Sequence, residues 1–262
     1  MPKEIPIFDS LSHPTISGKW LSKNLNSKFD SLSNSLKENN YLGAFAVGIH
    51  KTEGYEHEKF KIECDKYKNL YAIAGINIDA EDINKEIKLI KDLGYIGIKI
   101  HPRFNNLKLE KHNLVEIINL ANKNGLYIFY CTYFHQKLNN IITVDLYLYF
   151  IEIMKKCKNA KVILLHGGDV NLLKYAELVR FNDNLLLDLS LTIFKYQMSS
   201  VDLDIKFLFN YFDQKICIGT DHPEYNHYEL REKFNKFSHK INQNKCENIA
   251  YKNIEKFFKL KI

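Results

Sequence analysis

Eight short apolar runs, spread from one end of the chain to the other and separated by longer amphipathic segments, constrain this fold more than any other feature. The runs are Ile5–Ser10, Ala44–Ile49, Leu70–Ile76, Tyr95–His101, Leu126–Tyr133, Lys161–His166, Leu185–Leu189 and Lys215–Gly219. Most are near-continuous and rich in β-branched or aromatic residues, the composition of strands buried on both faces. The segments between them read as helices. In Asp82–Leu93, the residues Ile83, Ile87, Ile90 and Leu93 fall on one helical face. Asn113–Asn122 repeats the pattern, with Gly125 just beyond it, where a helix C-cap is expected. Leu21–Leu36, Val144–Cys157, Leu172–Val179, Val201–Phe212 and the C-terminal stretch that ends in NIEKFFKL supply further helical stretches. Strands alternating with helices imply a parallel sheet, and eight is the number that closes a barrel. The predicted fold is therefore α/β, a (β/α)8 TIM barrel spanning residues 1–262 as a single domain. A doubly wound open sheet would usually show a glycine-rich turn after its first strand, and FDSLSHPT contains no glycine.

A chain of 262 residues, 45% of them apolar, can bury a core that needs no cross-links. Its five cysteines are odd in number and form no C-x-x-C, which reads as free thiols in a reducing compartment. The opening MPKEIPIFDS has neither the basic nor the apolar region of a signal peptide. No stretch approaches the roughly 20 uncharged apolar residues of a membrane span. A cytoplasmic protein is expected, without membrane or nucleic acid as partner, and with self-association left open. The net charge of +6 is almost all lysine, alternating with glutamate along helix faces rather than gathered into a basic stripe with interleaved aromatics. Such a charge suits a small anionic substrate.

In a barrel of this kind the chemistry sits at the C-terminal ends of the strands. The first predicted strand leads into Asp9-Ser10-Leu11-Ser12-His13, and the fourth ends in Lys99-Ile100-His101-Pro102-Arg103. The fifth ends in Tyr130-Cys131-Thr132-Tyr133 and the sixth in His166-Gly167-Gly168-Asp169. The seventh ends in Asp188-Leu189-Ser190 and the eighth in Gly219-Thr220-Asp221-His222. Any one of these histidines alone reads as a structural residue, but several converging on one mouth with an aspartate read as a site. Asp221 can orient or deprotonate water or ligate a metal, its plainer role being that of a turn residue. His166 precedes two glycines, which allow backbone to approach a ligand. Arg103, one of only three arginines, can hold a carboxylate or phosphate through two parallel hydrogen bonds, or can serve merely as a surface ion pair. Cys131 and Cys217 fit buried small hydrophobes better than nucleophiles. The aromatic segment Tyr133–Phe150 suggests a lid or a contact between copies, or an ordinary barrel helix.

Taken in order, FDSLSHP, GIKIHP, VILLHGGD, LLLDLS, CIGTDHP and NIEKFFKL resemble the amidohydrolase superfamily. The likeness is to its amidohydrolase-related branch, with the aminocarboxymuconate-semialdehyde-type decarboxylases and pyrone-dicarboxylate-type lactonases, and it runs over nearly the whole chain. In that family strand 1 carries H-x-H; here those positions are Leu11 and His13. The strand 5 histidine maps to Tyr130, the strand 6 histidine to His166 and the strand 8 aspartate to Asp221. The resemblance implies His13, His166 and Asp221 as ligands where a metal is bound, with His101 or a carboxylated Lys99 as substitutes. Leucine cannot ligate and neutral tyrosine is a poor zinc ligand. The expectation is thus no cofactor or one divalent metal, zinc in the first place. The activity implied is hydrolysis of a small anionic lactone, amide or ester, with Asp221 as general base and His166, His13 and Tyr130 acting on the carbonyl. Arg103, His101, Lys99 and His222 would bind substrate. A decarboxylase or other lyase in the same pocket is the first alternative. A barrel that has lost catalysis and persists as a binding or scaffold protein is the second.

Overall fold

The computed structural model describes residues 4–21, 23–104, 113–134 and 144–262. Eight parallel strands pair in the order of the sequence: β1 (Ile7–Ser12), β2 (Tyr41–Val47), β3 (Leu70–Gly75), β4 (Gly97–Ile100), β5 (Tyr127–Cys131), β6 (Val162–Leu165), β7 (Leu185–Asp188) and β8 (Ile216–Cys217). Main-chain bonds join the last strand to the first. Ser10 N donates to Ile218 O, Asp221 N to Leu11 O and His13 N to His222 O, and a parallel bridge pairs Ser12 with His222. The result is a nearly closed (β/α)8 barrel.

Side-chain alternation along each strand divides the core in two. Phe8, Leu11, Phe45, Val47, Ile73, Phe129, Ile163, Leu165 and Leu186 fill the barrel interior. Ala44, Ala46, Ile98, Ile100, Ile128, Leu164 and Leu187 face the surrounding helices. Phe258, near the chain end, closes the floor, its ring 4.6 Å from both Phe45 and Tyr127. With the lower end plugged, the open end is the one where the strands finish.

The outer helices are α1 (Phe29–Glu38), α2 (His57–Cys64), α3 (Ile83–Asp92), α4 (Leu114–Lys123), α5 (Leu146–Lys156), α6 (Leu172–Arg180), α7 (Ser200–Tyr211) and α8 (His227–Ser238). Asp82 and Asn113 cap α3 and α4 by accepting from the third residue of each helix. Asn226 and Glu229 form a reciprocal capping box at α8. One predicted helix is corrected. Leu21–Leu36 is not continuous: Lys19–Trp20 pairs antiparallel with Lys23–Asn26, and the helix begins only at Phe29. Positive φ at Gly18 and Leu21 turns the backbone out of helical geometry there, and the buried face Phe29, Leu32, Leu36 starts after the hairpin. No helix among the described residues is long and apolar enough to cross a membrane. Of the aromatic segment Tyr133–Phe150, residues 135–143 lie outside the described residues.

Candidate active site

The mouth of the barrel opens into a cleft of about 220 Å3. His13, Lys99, His101, Arg103, His166 and Asp221 line it, so six of the eight residues singled out from sequence share one site. Strand parity explains the β4 contribution: Ile98 and Ile100 pack outward, leaving Lys99 on the inner face with His101 beyond it.

His13 is fixed at its far side, because Nδ1 lies 2.7 Å from Val47 O. A carbonyl only accepts, so Nδ1 carries a proton and Nε2 faces the cleft. Two groups reach Nε2: Lys99 Nζ at 3.0 Å and Asp221 Oδ1 at 3.5 Å. Trp20, from the hairpin, stacks on the His13 ring at 5.2 Å and donates from Nε1 to Glu224 at 2.8 Å. It thereby ties the hairpin to the loop after β8.

His166 is held in the same manner. Its Nδ1 reaches Ser190 O at 3.3 Å and Ser190 Oγ at 3.2 Å, while Ser190 Oγ itself donates to Asp188. Asp188 also accepts from Ser10 Oγ and from His166 N. Since Nδ1 must donate to the Ser190 carbonyl, the remaining nitrogen of neutral His166 carries a lone pair. Burial pushes the Asp188 carboxyl up to about 6, and pushes His166 down to about 4 despite the attraction of Asp221. Burial also disfavours charge on Asp221, but His166, His13 and Lys99 outweigh it and hold that carboxyl well below its ordinary range. Asp221 is thus an ionised carboxylate close to His13, His166 and Lys99.

Cations and aromatic rings form the rim. The Arg103 guanidinium lies 5.1 Å from the Phe104 ring and 5.0 Å from the Tyr133 ring. Lys195 donates to Tyr133 Oη at 2.7 Å and lies 4.0 Å from Asp169. His101 rests against Cys131 Sγ at 3.6 Å, and burial pushes its imidazole well below its ordinary value.

Two expected residues lie elsewhere. Tyr130 faces outward from β5, fully buried against Phe150 at 4.9 Å, so its ring belongs to the layer between strand and helix. The reason is parity: Phe129 points into the barrel, hence Tyr130 points out and Cys131 takes the inner position. His222 turns behind β8, its ring 5.8 Å from that of His227, which in turn pairs with buried Asp9 at 3.1 Å. Neither lines the cleft. Sequence reasoning missed Trp20, Lys195 and Glu224 as cleft residues. They sit on the hairpin, on a short helix Thr192–Lys195 after β7 and on the loop after β8, beyond reach of a rule based on strand ends.

These residues do not fit a zinc centre. Such a site takes about three His, Cys or carboxylate ligands with an open fourth position. Among the described residues no group of three or more such side chains is arranged to hold an ion. Leu11 fills the barrel interior, and the Lys99 nitrogen occupies the space in front of the His13 lone pair.

Solved structures share this architecture over full length. A candidate 2-pyrone-4,6-dicarboxylic acid hydrolase from Pseudomonas putida superposes with a TM-score of 0.74 at 11% identity, covering 99% of each chain. This chain has the fold of the amidohydrolase barrels. The 5-carboxyvanillate decarboxylase of Sphingomonas paucimobilis gives a TM-score of 0.65 at 9% identity, over 98% of this chain and 100% of that one. An amidohydrolase from Burkholderia multivorans with bound zinc gives 0.64 at 10% identity, over 98% and 100%. No protein-family model and no curated protein matches the sequence.

Proposed function

We propose that the protein is an amidohydrolase-like hydrolase acting on a small anionic lactone, ester or amide, with Asp221 as general base. The observation that carries this reading is the placement of an ionised, buried carboxylate between His13 and His166, beneath a rim that bears Arg103 and Lys195. A substrate carboxylate would lie against the rim cations, leaving its acyl carbon over Asp221. The carboxylate takes a proton from water as the water oxygen bonds to the acyl carbon. The lone pair of His166 stands beside it to share that proton and return it to the leaving oxygen or nitrogen. An N–H of Lys99 faces the carbonyl oxygen, where developing negative charge is stabilised. The hydrolase and decarboxylase among the structural neighbours support reaction at this mouth, and a cationic rim would equally hold a carboxylate that departs as carbon dioxide.

The test is Asp221→Asn, assayed with a panel of lactones, esters and aromatic carboxylic acids. A correctly folded variant should lose about 100-fold or more in kcat. Full retention of activity would sink the assignment. Carbon dioxide release without net hydrolysis would move the reaction to the lyase class, and a cleft that binds these acids without turnover would make it a binding site.

A further inference from the structure

Lys99 stands at the end of β4 with 2% of its surface exposed, yet its amine lines the cleft. A buried ammonium ordinarily keeps a carboxylate beside it, because an uncompensated buried charge is strongly destabilising. Among the described residues Lys99 has no carboxylate within ion-pair distance, and its side chain bonds instead to a histidine nitrogen, His13 Nε2, at 3.0 Å. That nitrogen is a proton carrier, itself 3.5 Å from the Asp221 carboxylate. The same cleft has Arg103 and Lys195 on its lining, and its volume of about 220 Å3 suits a molecule of several heavy atoms. A primary amine with no carboxylate at ion-pair distance among the described residues, a proton relay ending in a carboxylate, and cations that would anchor an acid are the parts an amine nucleophile needs.

We propose that Lys99 forms an imine with a small oxo acid bound in this cleft. The amine nitrogen donates its lone pair to the carbonyl carbon, and the C=O π electrons move to oxygen, which takes a proton. The resulting carbinolamine loses that oxygen as water: the nitrogen gives up both of its protons in turn, and His13 and Asp221 pass them to the departing oxygen. The net change is one carbonyl and one amine giving one imine and one water, with no oxidant or reductant. An imine here draws electrons from the adjacent carbon, so the reaction class served is decarboxylation or carbon–carbon cleavage beside the former carbonyl. The proposal gives Lys99 a different part from the hydrolytic reading, that of nucleophile rather than N–H donor to the carbonyl oxygen, while Asp221 accepts a proton in both.

The experiment incubates the whole protein with pyruvate, 2-oxoglutarate or acetoacetate at pH 7 in the presence of sodium cyanoborohydride, then maps the modified lysines by peptide mass spectrometry. With at least one of these acids, Lys99 should be labelled about tenfold faster than any surface lysine, because a cleft that holds the acid's carboxylate at Arg103 and Lys195 keeps its carbonyl beside Lys99. Excess acid without the reductant should quench or shift the fluorescence of Trp20, the chain's single tryptophan, stacked above His13. Lys99→Met and Lys99→Gln should abolish the label, and the wild-type map decides the matter even if both variants fail to fold. Labelling scattered over surface lysines, or no preference for Lys99 with any of the three acids, overturns the proposal. Either result leaves the Asp221→Asn test to be read separately.

Discussion

At the scale of single residues, the site rests on which nitrogen of each histidine is tied to backbone. Val47 O and Ser190 O take the Nδ1 protons of His13 and His166, so both rings present their other nitrogen to the cleft. Such an orientation is invisible in sequence, because the partners lie 34 and 24 residues away. Convergence of His13, Lys99, His101, Arg103, His166 and Asp221 was legible, since strand ends alone dictate it. Tyr130 was misplaced for a reason the sequence does contain: one residue along a strand reverses the face, and Phe129 is the more natural interior residue. Arg103 tests the rim directly. Arg103→Ala should raise KM for a carboxylate-bearing substrate by about tenfold or more, the usual worth of a hydrogen bond to a charged group. It should leave the KM of an uncharged analogue nearly unchanged. Equal losses for both compounds in steady-state assays would show that Arg103 supports the loop rather than the anion.

At the scale of elements, strands were easier to read than helices. Apolar runs locate all eight strands, but the ladders end earlier at several loops, as at β4, where only Gly97–Ile100 pairs. The helix α2 escaped notice because its buried residues, His57, Phe60 and Cys64, include a polar type that dilutes an apolar stripe. Gly97 shows how an element positions chemistry. It shares its face with Lys99 and His101, and a Cβ there would meet Tyr127 O at 2.6 Å and the Phe129 ring at 3.2 Å. The close approach of β4 to β5 therefore depends on a residue without a side chain. Gly97→Ala should cost about 1–3 kcal/mol, the usual range for overpacking, seen as a lower urea midpoint. Catalysis should fall more than stability explains, because the strand that carries Lys99 must shift. A variant with wild-type midpoint and wild-type turnover would show that β4 and β5 are looser than this packing requires.

At the scale of the whole molecule, the barrel buries a set of imidazoles, which ties its stability to pH. Burial lowers His166 to about 4 and His222 to about 3, and lowers His13 and His101 as well. Below pH 6.5 the unfolded chain protonates these rings while the folded chain keeps them neutral. The unfolded state therefore takes up more protons, and stability falls as pH falls. Between pH 7 and pH 5 His166 and His222 each cost about 2 kcal/mol on this account, a change set by the unfolded value because both folded values lie below 5. Asp188 works in the opposite direction. Its folded value near 6 exceeds the unfolded one, so its contribution is greatest in acid and is lost as pH rises through 6. On acidification from pH 7 to pH 5 it restores about 1 kcal/mol, which leaves the histidines dominant. Against a total stability of about 5–15 kcal/mol, the net loss is large. The thermal midpoint should drop by about 5–10 °C between pH 7 and pH 5 in a buffer of constant ionic strength. A flat or rising midpoint would mean that the buried imidazoles take up protons at least as readily as the unfolded chain, and the lone pairs assigned to His13 and His166 would then be lost as soon as the pH falls below neutral.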